Sequence, residues 1–228
     1  TRCDLEGIGK VVAETDAILI ADCITAAGTL ELRTDEWKID IVVTGSQKAL
    51  MLPPGLATVA VSEKAWKIID AIKAPGLYLD LKAYRKMVVK NDTPYTPAVS
   101  LIRGLKVSLD MINAIGVEKI WSRSALLAKA TREACVALGM KVFSKQPSDS
   151  VTGIMYPPGV DDAFRKKLQS KYGINAAGGQ DDLKGKCFRV SHMGYVDPIE
   201  TIGMIAAIEY TLAELGVAVE IGKSVATA

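Results

Sequence analysis

Two residues early in the chain have types and positions that could do chemistry. Asp22 closes the apolar run Ala17-Ile18-Leu19-Ile20-Ala21, and Lys48 follows a second run, Ile39-Asp40-Ile41-Val42-Val43, that ends at Thr44-Gly45. Short continuous apolar runs are the pattern of strands covered on both faces, as in parallel sheets, and ligands of open α/β sheets bind at the carboxyl ends of such strands. Each residue also has a plain reading: an aspartate at a strand end forms turns, and a lysine is usually solvated. Taken together they suit pyridoxal phosphate, whose aldehyde takes a lysine as a Schiff base and whose ring nitrogen needs an acidic partner. Asp22 would keep that nitrogen protonated, so that electrons from the substrate Cα bond flow into the ring. Lys48, displaced by the amino substrate, would carry a proton between Cα and the cofactor's aldehyde carbon.

The elements that must position these groups follow from periodicity. Leu5, Ile8, Val11 and Val12 recur at helical spacing behind Asp4, a good N-cap. A third apolar run, Leu56 to Val61, follows the Pro53-Pro54-Gly55 break and leads into a helical pattern from Ser62 to Ile72. Pro97 to Gly116 and Val117 to Gly139 read as two longer helices. Short strands and connecting helices then alternate: Lys141 to Phe143, Val151 to Tyr156, a helix over Asp161 to Tyr172, Lys186 to Ser191, and a helix over Pro198 to Leu215. The change of pattern places a boundary near 110 to 118, between a first part with a mostly parallel sheet and a second α+β part.

Three blocks carry a resemblance: Ala21-Asp22-Cys23-Ile24-Thr25; Thr34-Asp35-Glu36-Trp37-Lys38-Ile39-Asp40; and Gly45-Ser46-Gln47-Lys48-Ala49-Leu50 with Pro53-Pro54-Gly55 after it. With Arg189-Val190-Ser191-His192-Met193-Gly194 near the end, they make the chain resemble the class V, fold-type I aminotransferases, particularly the alanine–glyoxylate and serine–pyruvate group. The resemblance implies an α/β chain holding the C-terminal part of the large, mostly parallel sheet domain (1–112) and a small α+β domain (113–228). It implies pyridoxal phosphate with Lys48 as the Schiff-base lysine and Asp22 as the ring-nitrogen partner. Ile24 would pack on a ring face, and Gln47 would reach the phosphate. Ser46 reads equally as a phosphate contact or as turn chemistry. The loop Asn91-Asp92-Thr93-Pro94-Tyr95-Thr96-Pro97 is similar to one that crosses a homodimer interface to the neighbouring subunit's phosphate, with Thr93, Tyr95 and Thr96 as the candidates. Hydroxyls and free N–H groups ahead of a helix suit an anion.

Arg189 lies in an apolar, strand-like segment and needs an anionic partner there. That partner is either an internal carboxylate or, as the resemblance implies, the substrate's α-carboxylate held in a bidentate grip. His192 reads as structural, because lysine already supplies the base. With a single cationic group for the substrate, alanine or serine is the expected amino donor, and glyoxylate or pyruvate the acceptor. The family's preceding region, with its phosphate loop and ring-stacking aromatic, does not appear, so the chain reads as truncated and as a weak or inactive catalyst alone.

Composition narrows the field. Lys+Arg 28 against Asp+Glu 26 gives a net charge of +2 with the signs interspersed, which offers no footprint for nucleic acid. Cys3, Cys23, Cys135 and Cys187 form no C-x-x-C pair and His192 is the lone histidine, so neither zinc nor a disulfide framework is expected. No apolar run is long enough for a membrane span, and the expected compartment is the cytoplasm. Two other readings compete. Cysteine desulfurases share the lysine but place a histidine before it, where this chain has Gln47, and a reactive cysteine on a mobile loop. A non-catalytic dimerising or scaffold fragment is the other.

Overall fold

The computed structural model describes residues 1–73 and 76–228, which divide into two units. One comprises Asp4–Ala27 and Leu32–Ala114; the other comprises Thr1–Cys3, Gly28–Glu31 and Ile115–Ala228.

In the first unit, the Asp4 carboxylate accepts from the Gly7 N–H at 2.9 Å and opens helix α1, Leu5–Ala13. Gly9 is buried on this helix, and a Cβ there would stand 1.7 Å from the Trp37 carbonyl oxygen. The close approach of α1 to the 34–39 segment therefore requires glycine. Strands β1 (Ile20–Asp22), β2 (Ile41–Gly45) and β3 (Ala57–Val61) form one sheet in that order. β1 runs parallel to β2, with Asp22 opposite Val43, and β3 runs antiparallel to it, with Ala57 opposite Gly45. Three helices follow: α2 (Glu63–Ala71), capped by Ser62; α3 (Leu81–Val88), capped by Asp80; and α4 (Val99–Ile115).

Burial is uneven along these strands in the chain as it stands. β2 is buried, but Ile20 is 58% exposed and Ala57–Ala60 are all exposed. Ala21, Cys23, Ile39 and Val42 form a core on one face, against which Leu5, Leu19 and Trp37 pack; Ile20 and Asp22 alternate to the other. β1 is also shorter than its apolar run. The Leu19 N–H is taken by the Asp40 carboxylate at 2.9 Å, and the Leu19 carbonyl accepts from both Asp40 and Ile41 N–H, so regular pairing begins at Ile20.

The second unit carries α5 (Val117–Ala137), β4 (Lys141–Val142), β5 (Val151–Met155), α6 (Ala163–Tyr172), β6 (Ala177–Gly178), a 3-10 turn at Asp181–Leu183, β7 (Cys187–Ser191), α7 (Pro198–Glu214) and α8 (Lys223–Thr227). Its antiparallel sheet has the order β4-β5-β7-β6. Ile154, Phe164, Leu168, Phe188, Ile208 and Leu212 fill the core between sheet and helices. A capping box of Asp197 and Glu200, with Pro198 in the first turn, starts α7. The buried Glu209 carboxylate accepts from the Ser224 N–H at 2.8 Å and from the Gly222 N–H, which ties α8 to α7. Among the described residues no helix is long and apolar enough to cross a membrane.

His192 is buried behind β5, with its Nε2 2.9 Å from the Thr152 hydroxyl. Burial, with the Arg132 guanidinium adding to it and Asp149 opposing, pushes the imidazole down from 6.5 to about 4. Because the ring stays neutral in the fold and protonates more readily in the unfolded chain, its stabilisation is complete above pH 6.5 and is lost as pH falls toward 4. The expected loss through this residue is on the order of 3 kcal/mol. His192→Gln should flatten that part of the pH profile, checked by melting temperatures of both proteins from about pH 7 to about pH 4; parallel profiles would refute it.

Candidate active site

Parallel pairing of β1 and β2 decides where the two chemical groups stand. Both strands point their carboxyl ends to one edge of the sheet; Asp22 ends β1 opposite Val43, and β2 continues to Gly45, three residues before Lys48. Asp22 is exposed, and its Oδ1 accepts from the Ile24 N–H at 3.0 Å. It is thus a turn former as well as a strand-end acid, and among the described residues Oδ2 has no hydrogen-bond partner. Lys48 is half-buried, and its ammonium has no hydrogen bond or ion pair among the described residues.

The loop carrying Lys48 is closed by the serine before it. Ser46 is buried; its hydroxyl donates to the Pro53 carbonyl at 2.7 Å and accepts from the Leu56 N–H at 3.2 Å. Of the two readings of Ser46, the structure supports turn chemistry. The Ser46 carbonyl accepts from Leu52 N–H and its N–H donates to the Leu56 carbonyl, so one residue staples both ends of the loop. Helix α4 closes it from another side, where the buried Ser108 hydroxyl donates to the Leu50 carbonyl at 2.6 Å. Sequence reasoning missed Ser108, although its place on the Leu101-Leu105-Ile112 stripe was visible. Met51 adopts φ 58° and donates its N–H to the Lys48 carbonyl at 3.0 Å. A non-glycine residue in that region costs about 1–2 kcal/mol, and such strain persists only where surrounding structure over-determines it. Gln47 is exposed and folds back over Gly45, where a Cβ would lie 2.8 Å from its Oε1.

The other anticipated residues are placed as follows. Ile24 is half-buried, but it sits in the turn after β1, so the alternation argument that put it on the same side as Asp22 does not hold; the Asp22–Ile24 hydrogen bond ends the extended segment there. In the loop before α4, Thr93 donates its hydroxyl to the Tyr95 carbonyl at 2.6 Å, and the Tyr95 hydroxyl donates to Leu77 at 2.7 Å. Thr96 is exposed, with no such bond among the described residues. In the other unit, Arg189 projects from β7, its Nε donating to the Gly178 carbonyl at 3.0 Å. It is exposed, and among the described residues it makes no ion pair and no hydrogen bond through its outer N–H groups. Cys135 and Cys187 are buried within α5 and β7 rather than carried on an exposed loop, and burial pushes the Cys135 thiol up to about 12 and likewise raises Cys187.

A protein-family model described as "Aminotransferase class-V" matches residues 1–196. The chain belongs to the class V aminotransferase family. It is 44% identical over 223 residues to an uncharacterized aminotransferase of Methanocaldococcus jannaschii, an alignment that covers 94% of this chain and 57% of that protein. It is 37% identical over 221 residues to a serine–glyoxylate aminotransferase of Methylorubrum extorquens, covering 93% and 55%. The structure superposes on pyridoxamine–pyruvate aminotransferase from Mesorhizobium loti with TM-score 0.93 and 33% identity, over 98% of this chain and 59% of that one. The fold is therefore that of the fold-type I enzymes. The chain spans little more than half the length of these relatives.

The side chains at the sheet edge fit pyridoxal phosphate on their own chemistry: among the described residues, an amine without a partner and a carboxylate with one oxygen unused. The loop that presents the amine rests on Ser46. Ser46→Ala is expected to cost about 1–3 kcal/mol, because it leaves the Pro53 carbonyl and Leu56 N–H without their partner. Urea unfolding of the variant tests this; an unchanged midpoint would mean that the loop holds without the staple.

Proposed function

We propose that this chain carries the catalytic lysine and substrate arginine of a pyridoxal-phosphate-dependent aminotransferase acting on a small amino acid, alanine or serine, with glyoxylate or pyruvate as acceptor. The observation that carries this reading is the unpartnered, half-buried Lys48 ammonium at the same sheet edge as Asp22. The likeness to serine–glyoxylate and pyridoxamine–pyruvate enzymes supports the substrate class. In this reading residues 1–112 belong to the large domain and 113–228 to the small one.

Bound pyridoxal phosphate supplies an electron-withdrawing ring that makes the substrate Cα–H acidic. Asp22 holds the ring nitrogen through its open carboxylate oxygen, and Ile24 offers an apolar contact to the ring. Gln47 reaches the phosphate of the same subunit. Of the three residues proposed to reach a partner subunit's phosphate in a homodimer, Thr93 and Tyr95 have hydroxyls engaged within this chain, so Thr96 is the readier donor. Lys48 moves the proton at the substrate Cα. Arg189 grips the α-carboxylate with its two outer N–H groups, a geometry lysine would not reproduce. The four free cysteines suit the cytoplasm.

Borohydride reduction of the protein incubated with pyridoxal phosphate is expected to fix the cofactor on Lys48, located by peptide mass mapping. Lys48→Ala should abolish the adduct and lower transamination by about 10²–10⁴-fold, the usual contribution of a positioned base. An adduct elsewhere, with activity retained in Lys48→Ala, would overturn the assignment.

A further inference from the structure

The strand that receives Arg189 is too short to hold itself. β6 has two residues, joined to β7 through Ala177 opposite Arg189 and Gly178 opposite Phe188, and it lies at the border of its sheet. So short an edge frays unless something outside the ladder ties it down. Arg165 on α6 is that tie. Its Nη1 donates to the Ala176 carbonyl at 3.1 Å, just before β6, while Nε and Nη2 donate to the two oxygens of Asp162 at 3.1 and 2.8 Å. The guanidinium rests on Gly178, where a Cβ would stand 2.8 Å from both Cζ and Nη2. Asp162 also accepts from the Tyr156 hydroxyl at 3.0 Å, and the Tyr156 ring stacks on buried Phe188 with centroids 5.6 Å apart. Contacts therefore run unbroken from the aromatic core through Asp162 and Arg165 to β6, and from the Gly178 carbonyl to the Arg189 Nε at 3.0 Å.

Asp162, Arg165, Gly178 and Arg189 line one open concavity of about 760 Å³. Two guanidinium groups sharing a concavity repel, and the Asp162 carboxylate neutralises the one at Arg165. Asp181 and Lys184, also on the wall, carry opposite charges, so the charge left for an anionic ligand is that of Arg189.

Resting on the reading of Arg189 as the substrate-carboxylate arginine, we propose that Arg165, with Asp162 as its counter-ion, is a positioning residue that fixes the Arg189 fork by locking β6. It does not touch the substrate. With Nε held on a fixed carbonyl, the outer N–H groups of Arg189 keep one plane, and less rotamer freedom is lost when a carboxylate binds.

The test is a double-mutant cycle in the cofactor-loaded protein, reading KM and kcat for the amino donor and, separately, the inhibition constant of acetate as a bare carboxylate probe. Arg189→Ala is expected to raise KM and the acetate constant by about tenfold to a hundredfold. Arg165→Met should raise both by about tenfold, with the change in KM exceeding that in kcat. In the Arg189→Ala background, Arg165→Met should add nothing to either. Gly178→Ala keeps both arginines and should reproduce the Arg165→Met effect through the displaced guanidinium; it serves in place of Arg165→Met if melting curves show that variant unfolded. An effect of equal size in both backgrounds, or none when Arg189 is present, overturns the positioning role and leaves the assignment of Arg189 standing. If Arg189→Ala itself leaves KM and the acetate constant unchanged, that assignment fails and the positioning role with it.

Discussion

The parallel register of β1 on β2 is the constraint on which the candidate site depends. Reversing one strand would send Asp22 and the Lys48 loop to opposite edges of the sheet, and a slip by one residue would turn the Asp22 side chain to the other face. Asp40 pins this register. Its buried carboxylate accepts from Leu19 N–H on one oxygen and from the Ser62 hydroxyl, at 2.8 Å, on the other. Three elements, β1, β2 and α2, thus share one satisfied acid, which avoids the cost of burying an unpaired carboxylate.

Around that register the chain spends its hydrogen bonds unevenly. Ser46, Ser108 and Met51 hold the 46–56 loop through its backbone, while the Lys48 side chain has no partner among the described residues. Lys10, Lys64, Lys82 and Lys106 of this unit are engaged, and Lys38, Lys67, Lys86 and Lys90, like Lys48, have no such partner among the described residues, but those four are exposed whereas Lys48 is half-buried. A rigid loop bearing one unsatisfied amine is a local departure from the general rule that each choice supports the fold, and such departures concentrate at functional sites. The second unit repeats the arrangement with Arg189, whose Nε is anchored and whose outer donors are not.

Much of this was legible in the residues. The helices over α1, α2, α4, α5, α6 and α7 followed from spacing and from caps such as Asp4 and Ser62, because side-chain period and capping are local properties. The elements that escaped were α3, β6 and α8. β6 has two residues and no pattern of its own; it exists because β7 and Arg165 pair with it. α8 depends on the Glu209 carboxylate, contributed from α7. The end of the extended segment before Ile24 was hidden for a similar reason: an aspartate that ends a strand also bends the next residues through its own side chain.

By itself the sequence determined the family, and it singled out the residues proposed to bear chemistry, because Asp22, the Gly45–Leu50 block and the Arg189 block are short contiguous strings that need no distant contact to be read. Only the tertiary structure decided which donors remain free. Whether Ser46 serves a phosphate or a turn, whether Arg189 meets a carboxylate or a carbonyl, and whether Thr93 and Tyr95 keep their hydroxyls to themselves all depend on partners far along the chain or across a strand pair. A hydrogen bond is a matter of a few tenths of an ångström and of angle, and those are set by packing rather than by residue type.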